Sequence, residues 1–133
     1  DEQKRSTANQ MPGVVRTQRG LGEEGEHFYS NVGSFSEVGL SVEMCAALMQ
    51  AGITKPSKIQ RIAIPKLLEG ADAILGEQTG SGKTLAYLLP LVQNVLNKIK
   101  EGTIPRWPRP RRPRVIVVAP TAELAAQVKA VAF

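Results

Sequence analysis

Five residues, Gly80-Ser81-Gly82-Lys83-Thr84, constrain this chain more than any other feature of it. They lie between a short apolar run, Ala73-Ile74-Leu75, and an apolar-periodic stretch from about Lys83 to Lys98. Closely spaced glycines let consecutive backbone N–H groups turn toward an anion with no Cβ in the way. A helix that begins at Lys83 points the positive end of its dipole at the same anion. Lys83 is then within reach of the β- and γ-phosphates of a nucleotide, and the Thr84 hydroxyl is placed to ligate Mg²⁺. A strand entering such a loop and a helix leaving it form an α/β unit with parallel strands flanked by helices. One position departs from the general phosphate-loop pattern: Glu77 stands where a first glycine is usual. A carboxylate there costs Coulomb energy beside bound phosphates unless it points away or finds a cation.

The other elements follow from caps and periods. Ser41 is an N-cap for a helix whose apolar face is Met44, Ala47, Leu48 and Ala51, with Gly52 at its end. Ser57 starts a second helix with Ile59, Ile62, Ala63 and Leu67 as its stripe, and Gly70 ends it. Pro90, inside the long helix after the loop, is expected to kink it or to end its first part. Val115-Ile116-Val117-Val118-Ala119 is a β-branched run that predicts a strand covered on both faces. Thr121 is placed to cap a last helix running to Phe133. Residues 1–34 are polar and Gly-rich, read as a flexible tail, so order is expected from near Phe35. The domain is therefore 35–133. No apolar stretch approaches the ~20 residues needed to cross a bilayer, so no membrane partner is expected. Cys45 is a lone cysteine, which excludes an intrachain disulfide. The chain opens on Asp1, which suggests processing or a longer parent. An organelle is one possible address on that basis, with nucleus and cytoplasm as alternatives.

The net charge is +5, and residues 100–114 account for it with six basic groups and one acidic. Arg106, Arg109, Arg111, Arg112 and Arg114 alternate there with four prolines around Trp107. Prolines hold this loop extended and reduce the entropy it loses on docking. Arginine pairs with phosphate bidentately, and tryptophan stacks on bases, so an RNA or ribonucleoprotein contact is one reading. A solvated charged loop is the other.

Gly52-Ile53-Thr54-Lys55-Pro56-Ser57-Lys58-Ile59-Gln60, with Phe35 upstream, is similar to the Q motif of the DEAD-box RNA helicases. Thr79-Gly80-Ser81-Gly82-Lys83-Thr84 resembles that family's motif I, and Pro120-Thr121-Ala122-Glu123-Leu124-Ala125 its motif Ia. The resemblance covers about Phe35 to Phe133. It implies a P-loop, RecA-like domain, incomplete in this stretch, that binds ATP with Mg²⁺ at Thr84. It also implies that Gln60 pairs with the adenine edge, that backbone near Lys55 adds a contact, and that Phe35 stacks on the base. Pro120 and Thr121 would touch the RNA sugar–phosphate backbone without reading sequence. Ser57-Lys58-Ile59-Gln60 is equally a capping box, in which Gln60 reaches back to the Ser57 N–H.

The family pattern has arginine where this chain has Ala122, which removes a permanent cation with five donors. The Asp-Glu-Ala-Asp motif does not occur in these residues. The expectation is that this stretch alone neither hydrolyses ATP nor unwinds RNA, and that its parent is an ATP-dependent helicase remodelling RNA or ribonucleoprotein. The alternatives are a non-catalytic helicase-like scaffold and another P-loop ATPase, against which Phe35 with Gln60 argues.

Overall fold

The computed structural model describes residues 33–132. The tail reading for 1–34 falls almost wholly outside these residues. Among the described residues four helices follow in order: α1 Val42–Gln50, α2 Lys58–Leu68, α3 Lys83–Lys100 and α4 Ala122–Ala132.

Two of the predicted side-chain caps form, while the Ser57 hydroxyl at the start of α2 makes no cap bond. Met44 N–H donates to Ser41 Oγ at the start of α1, and Leu124 N–H to Thr121 Oγ1 at the start of α4. At the end of α1, Gly52 N–H donates to Met49 O and Ile53 N–H to Leu48 O. That paired pattern needs a left-handed residue, and Gly52 supplies φ 77 without a Cβ penalty. The same pattern closes α2 at Gly70 and α3 at Gly102.

Pro90 does not end its helix. α3 runs unbroken for 18 residues, two beyond the predicted limit. Proline removes one ladder bond, but Pro90 is fully buried, and the packing of the turns on either side holds the helix together.

The core lies where α1, α2 and α3 meet. Phe35, Val38 and Leu40 precede α1 and pack with Leu48, Ile64 and Leu89. A second cluster joins Ile59 and Ala63 of α2 to Ala86 of α3, with Leu75 against it. Gln93, 3 % exposed, sits on the same side of α3. Its Oε1 accepts from Ser41 N–H at 2.8 Å, and its Nε2 donates to Asn97 Oδ1 at 2.8 Å. A buried carboxamide is thereby paired, and α1 is fixed to α3. At the surface Lys100 donates to Glu43 at 2.9 Å. That hydrogen bond is the main cause that lowers the Glu43 carboxyl from 4.5 to about 2. A lowered value means the pair contributes above the ordinary carboxylate range and is lost as pH falls through about 2. Both side chains are exposed, so the contribution to stability is small. Lys100→Ala is expected to return Glu43 toward 4.5, read by NMR titration of its side-chain carboxyl.

The predicted parallel sheet is not formed among the described residues. Residues 73–75 and 115–119 belong to no helix and to no strand ladder. Their burial nevertheless alternates. Ala73 and Leu75 are half-buried and Ile74 is 65 % exposed, while Val115 and Val117 are more covered than Ile116 at 73 % and Val118 at 89 %. One face of each segment is partly covered and the other is open, so the expectation of cover on both faces is corrected for 115–119. An apolar run fixes an extended backbone, but a sheet also needs neighbouring strands about 4.8 Å away.

Candidate nucleotide-binding site

The phosphate loop spans residues 76–82 and ends as the N-cap of α3. Gly82 adopts φ 91 there. A Cβ at Gly82 would lie 2.6 Å from Gln60 Nε2 and 3.0 Å from Ser57 Oγ, so the start of α2 closes directly over the loop. Gly80 is also left-handed, at φ 80. Glycine at both positions allows the backbone to curl round an anion at the start of α3.

Lys83 lies within this curl. Its ammonium donates to Glu77 O and Gln78 O, 2.6 Å each, and lies 3.5 Å from Ser81 Oγ. Glu77 thus meets Lys83 through its carbonyl, while its Oε1 accepts from Gln78 N–H at 3.3 Å. The carboxylate that departs from the usual pattern has found a donor within its own loop. Thr84 follows Lys83 in the first turn of α3 and is half-buried. Thr79 and Gly80 are exposed, and Ser81 is half-buried.

Gln60 joins the two elements. Its Oε1 accepts from Ser57 N–H at 2.9 Å, and its Nε2 donates to Gly82 O at 3.1 Å. The capping-box bond to Ser57 is therefore made, together with a bond to the phosphate loop. A carboxamide has two N–H groups and two lone pairs, so each end keeps capacity for a further partner. The Gln60–Gly82 bond was not foreseen from sequence, since no spacing rule links positions so far apart. Lys55 is exposed on the loop before α2. Phe35, at 4 % exposure, is a core residue that seats the segment before α1.

Residues expected to touch RNA fall into two groups. Thr121 caps α4, and Pro120 precedes it, both exposed. Ala122, in place of an arginine, opens that helix. The Pro/Arg loop packs elsewhere, along the second half of α3. Arg109, Arg112 and Arg114 share a cavity there with Leu91, Val95 and Lys98. The cavity therefore lies roughly 12 to 22 Å along the helix axis from Lys83, at 1.5 Å per residue.

Among the described residues no cluster of three or more His, Cys, Asp or Glu could hold a metal. A magnesium ion at Thr84 would draw its other ligands from phosphate oxygens, water and carboxylates elsewhere. Among the described residues no helix is long and apolar enough to cross a membrane.

A glycine-rich loop, its lysine inside it and a helix starting at that point define a P-loop protein. The chain belongs to the DEAD/DEAH box helicase family, whose sequence model matches residues 57–132. It is 48 % identical over 113 residues to DEAD-box ATP-dependent RNA helicase 50 of Oryza sativa subsp. japonica, covering 85 % of this chain and 17 % of that protein. It is 48 % identical over 101 residues to DEAD-box ATP-dependent RNA helicase 39 of Arabidopsis thaliana, covering 76 % and 16 %. Against the ATP-dependent RNA helicase SrmB of Escherichia coli K12 it is 41 % identical over 97 residues, covering 73 % and 20 %. The chain thus spans a fifth or less of the length of these relatives. Family membership implies the P-loop, RecA-like fold.

Proposed function

We propose that this chain is the ATP-binding part of an ATP-dependent RNA helicase that remodels RNA or ribonucleoprotein. The observation that carries this is the Lys83 ammonium held inside a glycine loop at the start of α3, with Gln60 closing over Gly82. Relatives named as ATP-dependent RNA helicases favour the enzyme over a non-catalytic scaffold.

In this reading the backbone N–H groups of Thr79 to Lys83 and the Lys83 ammonium bind the β- and γ-phosphates of ATP. Mg²⁺, held through Thr84, supplies charge neutralisation to those phosphates. Lys83 gives up its contacts to Glu77 O and Gln78 O in favour of phosphate oxygens. Gln60 keeps one N–H on Gly82 and offers the other, with an Oε1 lone pair, to the adenine N6/N7 edge. Backbone near Lys55 borders the same edge. The Phe35 ring exposes too little face to serve as the main stacking surface, and its part is to seat the preceding turn. Pro120 and Thr121 grip the RNA sugar–phosphate backbone, which gives affinity without sequence readout.

Phosphate release by the full-length protein tests the proposal. RNA-stimulated ATP hydrolysis is expected, and a full-length protein with no measurable ATP binding would overturn it.

A further inference from the structure

The second half of α3 and the Pro/Arg loop enclose a cavity of about 570 Å³ whose features the nucleotide site does not use. Its described lining has four cations, Lys98, Arg109, Arg112 and Arg114, and no carboxylate. Its floor is apolar, built from Leu91, Val95 and Ile104. Beside it on the loop, Trp107 is 77 % exposed, with the Arg106 guanidinium 5.8 Å from its ring centre.

The loop is held in shape. Arg114 donates to Pro105 O across its base. Arg112 N–H donates to Arg109 O at 3.3 Å, closing a turn with Pro110 and Arg111 at its centre. Arg111 takes φ 60 there, where glycine is the usual residue. A left-handed arginine is strained, and such strain persists where the surroundings enforce it, often at binding sites. The effect of the turn is to set Arg109 and Arg112 on one cavity.

Resting on the RNA reading above, we propose that this cavity and Trp107 form a second, nucleotide-independent site for single-stranded RNA. A base stacks on Trp107, which accepts any base because every base has a π-face. Arg109, Arg112 and Lys98 neutralise the adjoining phosphates, and the sugar lies over the apolar floor. Exposed tryptophan paired with arginine favours RNA over an acidic peptide, which needs the cations but not the platform. The position along α3 separates this grip from Lys83, so RNA held here stays bound when the nucleotide leaves.

The test is anisotropy of fluorescein-labelled oligouridine with the full-length protein, with and without adenylyl imidodiphosphate, across a salt series. The variant combines Trp107→Ala, Arg109→Ala and Arg112→Ala, all exposed positions, and leaves the Arg114 clamp in place. Nucleotide-free affinity is expected to fall at least about tenfold, from lost stacking and charge. The slope of log affinity against log salt should shrink by about 1.4, at ~0.7 per phosphate contact for single strands. The factor gained on adding the nucleotide analogue should be the same in variant and wild type. Unchanged nucleotide-free affinity in the variant overturns the second site. So does arginine-dependent binding of an acidic peptide with no binding of oligouridine. Wild-type protein whose RNA affinity ignores the nucleotide analogue would instead sink the helicase reading, while arginine-dependent binding would keep the second site.

Discussion

Lys83→Ala is expected to lower ATP hydrolysis by the full-length protein about 10²- to 10³-fold, the scale of removing one preorganised charge-stabilising donor. The ammonium makes two 2.6 Å contacts with loop carbonyls and belongs to the first residue of α3. Removing it does two things. The phosphate charge that develops in transfer loses its counter-ion, and the carbonyls of Glu77 and Gln78 face each other without a donor between them. Lys83→Arg separates these effects. A guanidinium restores the charge but is planar and bulkier, so it does not reproduce two short contacts from one nitrogen. Lys83→Arg is therefore expected to recover only a minor part of the activity. Nucleotide-free RNA binding should survive both substitutions, because the basic loop is remote from Lys83. Hydrolysis within about twofold of wild type for Lys83→Ala, on a scale where removing such a donor normally costs far more, would contradict the role given to the ammonium.

The helices were legible because each carries its own instructions. Ser41 and Thr121 cap, Gly52 and Gly70 terminate, and the α2 stripe points to the interface that forms, whereas Ala47 and Ala51 of the α1 stripe are exposed and Cys45 packs on the core instead. Pro90 does not end its helix for a simple reason: the rule concerns one lost hydrogen bond, and the burial that outweighs it is a tertiary property. The sheet misled in a related way. Val115 to Ala119 announces an extended apolar backbone, but the run does not say what lies beside it. Its alternating exposure shows one face placed against α3 and α4 and one left open.

The site was legible in its chemistry and not in its wiring. Lys83, Thr84 and the glycines follow from a local pattern. Gln60 had two readings, and the bonds to Ser57 and Gly82 show the capping contact made while donor and acceptor capacity remains. Gln93 left a signal that could have been read. It falls in register with Ala86, Leu89 and Pro90, so it is a polar residue on a buried stripe and must find partners there. The basic loop was legible as charge, but its distance from the phosphate loop depends on α3 continuing past Pro90.

Gly82→Ala should be the most disruptive conservative change in the chain. The backbone term alone, a left-handed alanine, costs about 1–2 kcal/mol. The added Cβ would also stand 2.6 Å from Gln60 Nε2, closer than such contacts occur, so the carboxamide must move. Moving it breaks its bonds to Gly82 O and Ser57 N–H, each worth about 1 kcal/mol. The expected total is about 3–4 kcal/mol of unfolding free energy in this domain, measured by urea titration, with a matching loss of ATP affinity. Gln60→Ala alone should cost about 1–2 kcal/mol through the lost cap and loop bond. In the double variant the carboxamide clash is gone, leaving only the 3.0 Å approach to Ser57 Oγ, and the two bonds are lost once rather than twice. The costs should then fall short of additivity by about 1–2 kcal/mol, as contacting residues do. Strict additivity would mean that Gln60 and Gly82 do not act on each other, and that the closure of α2 over the phosphate loop has no energetic weight.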